Sequence, residues 1–143
     1  MRSSDLDRIQ HRPAHLVYAA LSAGSAPLFL GAFLSDAAYA NSYEIAWKNQ
    51  AAWFLVGALI VAGVAIAAGI VWRLRQGRFA RTEGWSLGLL IAAWVAGFVG
   101  SLVHAKDGWA MMPDGLVVSA LATLLVLAAA VLAFTALRAG GGR

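Results

Sequence analysis

Four long apolar stretches, roughly residues 15–38, 51–72, 85–104 and 114–137, fill most of this chain, and the charges fall almost wholly between them. A helix rising about 1.5 Å per residue needs about 20 apolar residues to cross a hydrocarbon core about 30 Å thick, and each stretch is long enough. Lipid offers no water to a bare amide, so spanning segments must satisfy their backbone internally as helices or closed barrels. The expected fold is all-α: an integral membrane four-helix transmembrane bundle forming a single domain over residues 1–143. With 61% hydrophobic and 13% charged residues, the chain has room for four spans and short connections but not for a separate soluble domain.

The charges predict an orientation. Arg2, Arg8 and Arg12 precede the first stretch, Arg73, Arg75, Arg78 and Arg81 join the second to the third, and Arg138 and Arg143 follow the fourth. Against these nine, the other two connections hold only Lys48 and Lys106, accompanied by Asp36, Glu44, Asp107 and Asp114. Cytoplasmic loops carry the excess of Lys and Arg, so both termini and the Arg-rich connection are placed inside (N-in/C-in). The acidic connections then face a periplasm or exterior. Arginines at span ends account for the pI near 10.1, and no soluble basic surface exists for nucleic acid. The chain has no cysteine, which excludes disulfides and thiolate-based metal or catalytic chemistry.

Tryptophan and tyrosine prefer the headgroup level. Tyr18, Trp72 and Trp85 are expected in the cytoplasmic belt, Tyr39, Tyr43, Trp47, Trp53 and Trp109 in the outer one, and Trp94 near the middle. The first stretch ends in Ala38-Tyr39-Ala40, which imitates a leader with a small-residue cleavage site. Its apolar run is longer than a signal core and Asp36 lies close to the supposed cut, so it is read as a span.

Ala93, Gly97, Gly100 and His104 share one face of the third span, and Ala58, Ala62, Ala65 and Gly69 share one face of the second. Small residues let membrane helices approach closely, so these two spans are expected to pack tightly on each other. The first span carries a polar stripe of His15, Tyr18, Ser22, Ser25, Ala32 and Asp36, interrupted by Pro27. In the fourth, Ser119 and Thr123 turn inward or bond back to their own carbonyls.

Ionisable groups at span ends tend to pair when partly buried. Asp36 and His104 end parallel spans on the same side and form the core of a candidate outer-face polar site with Trp53, Asp107, Trp109 and Asp114. It reads either as a proton-handling or ligand-binding pair or as a polar cap fastening helix ends. His15 with Arg12 forms a cytoplasmic-face candidate. His15 and His104 stand about 30 Å apart across the core, too far to clamp one haem in a monomer. No metal site is predicted: His104, Asp36 and Asp107 are adequate ligand types at unexceptional spacing. No phosphate loop, nucleophile elbow or zinc helix motif occurs.

The strings Ser35-Asp36-Ala37-Ala38-Tyr39, Ala46-Trp47, Ala52-Trp53, Val103-His104-Ala105-Lys106-Asp107-Gly108-Trp109 and Gly115-Leu116-Val117-Val118-Ser119, with His15 upstream, resemble the bacterial membrane proteins grouped as domain of unknown function 2231. The likeness runs from about Arg12 to Leu137. It departs around the first histidine, where Pro13 is the sole proline and Leu16 follows His15 directly. The resemblance implies a four-helix, multi-pass protein of the bacterial cytoplasmic (inner) membrane, with a periplasmic or membrane redox protein as partner. It implies no reaction.

No catalytic motif is present. The expected function is a non-enzymatic accessory or anchor subunit that docks a partner on its outer face. The alternatives are a redox protein holding haem or quinone at the His/Asp/Trp cluster, and a small transporter working as a homo-oligomer.

Overall fold

The computed structural model describes residues 3–76, 81–106 and 108–141, with side chains described over 15–75, 81–106 and 110–138. Four long helices, α1 (Ser3–Ser42), α2 (Ile45–Gln76), α3 (Arg81–His104) and α5 (Asp114–Gly141), form a bundle, with a four-residue helix α4 (Gly108–Met111) before the last. The shortest of the long ones has 24 residues, about 36 Å at 1.5 Å per residue, which exceeds the hydrocarbon thickness of about 30 Å. All four are long and apolar enough to cross a membrane, over His15–Ser42, Ile45–Arg75, Arg81–His104 and Asp114–Arg138. By length and composition this is a multi-pass membrane protein.

The helices run longer than the apolar stretches. The connection expected between the first two spans shrinks to Tyr43 and Glu44. Tyr43 adopts a left-handed backbone (φ 54°), and its N–H donates to Tyr39 O at 2.7 Å, the geometry that ends a helix. Glu44 N–H then donates to Ser42 Oγ at 3.3 Å. α1 stays helical through Pro27, whose ring faces out.

Around the bundle the order is α1, α2, α3, α5, with α2 lying mainly on α1 and α3 mainly on α5. The expected tight pairing of the second and third spans is therefore corrected, because α2 and α3 share the thinnest of the four lateral interfaces. Their small-residue faces are buried, but they admit rings rather than each other's backbone. A Cβ on Gly69 would stand 3.0 Å from the Tyr18 ring, and one on Gly97 would stand 2.6 Å from Phe29 Cε1. The Trp94 indole, donating to Leu59 O at 3.0 Å, is wedged where α3 meets α2.

α1 and α3 lie on a diagonal and run parallel, and their inward faces meet at a constant offset. Tyr18 meets Ser86 and Asp36 meets His104, each pair 68 residues apart. Phe29 and Gly97 are also 68 apart (97 − 29). The positions are spaced by 11 and 7 residues on both helices, whole numbers of turns, so one register serves all three contacts. Phe29, Leu55, Leu90 and Val126 close the middle of the core, fully buried.

Candidate functional site

The site grows from the inward face of α1. His15, Tyr18, Ser22, Ser25, Ala32 and Asp36 are all buried, as the stripe implies. Ser22 Oγ donates to Tyr18 O and Ser25 Oγ to Ser22 O, each at 2.8 Å, so these hydroxyls are satisfied within their own helix. On α5 both expectations for Thr123 hold at once: it is buried, and its hydroxyl lies 2.7 Å from Ser119 O and 3.0 Å from Phe29 O. Ser119 is buried and bonds back to Leu116 O at 3.2 Å.

At one end of the bundle, His104 Nε2 lies 2.8 Å from Asp36 Oδ1, and the Asp36 carboxyl is fully buried. His104 Nδ1 lies 2.8 Å from Gly100 O. A carbonyl only accepts, so Nδ1 must carry hydrogen. The Nε2–Oδ1 bond then needs one proton of its own, held on imidazole or on carboxyl; without it a lone pair would face a carboxylate. The pair therefore shares one proton. Asp36 Oδ2 is buried and has no hydrogen-bond partner among the described residues. Tyr39, Val103 and Met111 form a separate apolar cluster one turn beyond Asp36, and α4 supplies Met111.

Of the four residues named for this site whose side chains are described, the structure joins only these two. Trp53 sits between the inward-facing Ala51 and Leu55 and points outward, 68% exposed. Asp114 is exposed and pairs with Lys106 at 3.8 Å rather than joining His104. Asp107 and the Trp109 side chain lie outside the described residues. Lys48 Nζ donates to Lys106 O at 2.9 Å, fastening α2 to the segment after α3. Tyr39, expected in an aromatic belt, is buried, and its ring meets Tyr43 edge-on at 5.7 Å.

The opposite end holds a cluster that the sequence only half revealed. His15 stacks on Trp72 at 4.9 Å and, more distantly, on Tyr18 at 6.4 Å. Its Nε2 is 3.8 Å from Glu83 Oε1, beyond hydrogen-bond reach, and both His15 Nε2 and Trp72 Nε1 are buried with no hydrogen-bond partner among the described residues. Ser86 Oγ donates to Ala129 O at 2.9 Å, which leaves Tyr18 to donate its own hydroxyl to Ser86 Oγ, also at 2.9 Å. Tyr18 and Trp72 thus turn their polar atoms into the bundle rather than out to the headgroups. The Arg12 side chain lies outside the described residues. Glu83 and Ser86 were missed, although they continue the α3 face of Ala93 and Gly97 backward at helical spacing through Leu90.

No cluster of three or more His, Asp or Glu capable of holding a metal occurs among the described residues. His15 and His104 occupy opposite ends of the bundle, so no single haem within one chain meets both. An axial bond from His104 would have to displace either Gly100 O or Asp36. Comparisons with protein-family models, curated proteins and solved structures gave no match.

Proposed function

We propose that the protein is a non-enzymatic accessory or anchor subunit of a bacterial cytoplasmic membrane, with both termini inside and a partner docked at its outer end. The observation that carries this reading is the turn between α1 and α2, where Tyr43, Ile45 and Trp47 stand 50%, 66% and 42% exposed. Grouped apolar exposure rimmed by polar residues marks interaction surfaces. The left-handed Tyr43, the Ser42 cap and the Lys48–Lys106 bond hold that turn in place, so it presents a prepared surface. The nine-to-two distribution of Lys and Arg supports its outward placement. The resemblance to domain of unknown function 2231 suggests a redox protein as partner. Purification in mild detergent tests the proposal: a partner should co-isolate and be lost with Ile45→Glu or Trp47→Glu. A chain that isolates alone defeats it.

A second reading rests on Asp36 Oδ2. A buried carboxyl with one oxygen on imidazole and the other without a hydrogen-bond partner among the described residues suits a ligand with a hydroxyl, such as a quinol, that reaches it from between the helices. Quinone in solvent extracts of the purified protein, reduced by Asp36→Asn, supports it; extracts without quinone exclude it. Carrier activity finds less support, because apolar side chains close the middle of the bundle and a transport path needs polar groups at that depth.

A further inference from the structure

On the bilayer-facing side, α1 and α5 leave a groove of about 460 Å³ between them. Its walls are apolar: Ala23 and Ala26 on α1 face Ala130, Val131 and Phe134 on α5. The alanines create the space, since any longer side chain there would fill it. At one end the lining turns polar, with Thr135 and then Arg138. The Thr135 hydroxyl is used on Leu132 O at 2.9 Å. Arg138 is exposed and meets no carboxylate among the described residues.

The groove's dimensions and charge select an occupant. From Leu127 to Arg138 the lining spans eleven residues (138 − 127), about 16 Å of helix at 1.5 Å per residue. One leaflet is half a core of about 30 Å, so the groove has the length of a single acyl chain lying along the membrane normal. Its charged end coincides with the end of the α5 span, at headgroup level. Guanidinium pairs with phosphate oxygens through parallel hydrogen bonds, and basic residues between membrane helices favour anionic headgroups.

We infer that this groove is a binding site for an anionic phospholipid, with one acyl chain between α1 and α5 and the headgroup phosphate on Arg138. The site is distinct from the partner-docking turn and does not depend on it. Native mass spectrometry of the detergent-solubilised full chain, titrated with phosphatidylglycerol or phosphatidylcholine of identical chains, tests the inference. Wild type should retain one phosphatidylglycerol with at least a several-fold preference over phosphatidylcholine. Arg138→Gln should erase the preference while keeping residual binding of both lipids. Ala130→Leu should abolish binding of both, and Ala23→Leu, at a less buried position, serves if circular dichroism shows that Ala130→Leu does not fold. Equal retention of the two lipids, a preference that survives Arg138→Gln, or binding unchanged by groove filling overturns the inference. So does a dimer that groove filling splits, because a second copy of the chain would then be the occupant.

Discussion

Removing either member of the Asp36–His104 pair has unequal consequences, and the inequality can be worked from the geometry. The Asp36 carboxyl is fully buried; among the described residues its one hydrogen bond runs to His104 Nε2 at 2.8 Å, and Oδ2 has none. His104→Ala leaves both oxygens unpartnered. Breaking a buried pair from one side costs about 3–5 kcal/mol in soluble proteins. Chains unfolded within lipid find substitute partners, which lowers such values, so about 2 kcal/mol is expected here. Asp36→Asn differs. His104 Nδ1 already donates to Gly100 O, so its Nε2 lone pair accepts from the new amide, and a neutral bond worth about 0.5–1.5 kcal/mol takes the place of the shared-proton one. The expected loss is about 1 kcal/mol. In the double variant Asp36→Ala/His104→Ala no buried carboxyl remains, and the loss should fall short of the summed single Ala losses by about 1 kcal/mol. Unfolding in mixed micelles with increasing dodecyl sulfate, followed by circular dichroism, measures wild type, His104→Ala, Asp36→Ala, Asp36→Asn and the double variant. If His104→Ala costs no more than Asp36→Asn, or the Ala losses simply add, the pair is not the buried, mutually dependent unit described.

Three further outcomes are expected. Gly97→Ala should destabilise by about 1–3 kcal/mol through overpacking against Phe29, with part recovered by Phe29→Leu. Gly88→Ala on the same helix, where a Cβ meets nothing within 4 Å, should be neutral or stabilising by up to about 1 kcal/mol; thermal melts in detergent rank the two. Tyr18→Phe removes one bond and leaves Ser86 satisfied on Ala129 O, whereas Ser86→Ala orphans the buried Tyr18 hydroxyl. The first should cost about 1 kcal/mol and the second up to about 3, and the opposite ranking in the same melts would contradict the donor order. The absence of cysteine permits labelling without background: with an impermeant maleimide on intact cells, Asn49→Cys and Ala105→Cys should react and Thr82→Cys should not. The reverse pattern inverts the proposed orientation.

The number of long helices, their approximate extents and their inward faces are legible in the sequence, because a bilayer imposes length and polarity on each segment separately. The stripe of His15, Tyr18, Ser22, Ser25 and Asp36 and the small-residue faces of Ala58 to Gly69 and Ala93 to His104 are buried as their spacing implies. Helix ends are less legible: the α1–α2 connection is two residues because helices continue past the apolar boundary into polar sequence. Trp53 reads as part of the Asp36 site by nearness to the same end, yet its place on the helical circumference, between Ala51 and Leu55, turns it outward. Trp72 reads as an interface residue by its type, yet it stacks on His15.

Which face meets which helix is a matter of packing. In lipid an apolar helix face is as well solvated by acyl chains as by another helix, so hydrophobic pattern cannot choose neighbours. Shape and hydrogen bonding choose them. The Phe29 ring in the gap at Gly97, the Tyr18 ring against Gly69 and the bonds Tyr18–Ser86 and Asp36–His104 set the diagonal register. They also keep α2 and α3 from the close contact that their small residues suggest. Four long apolar helices and the inward side of each thus follow from the order of residues along the chain. Their choice of neighbours follows from the three-dimensional fit of rings, glycines and one buried acid–imidazole pair.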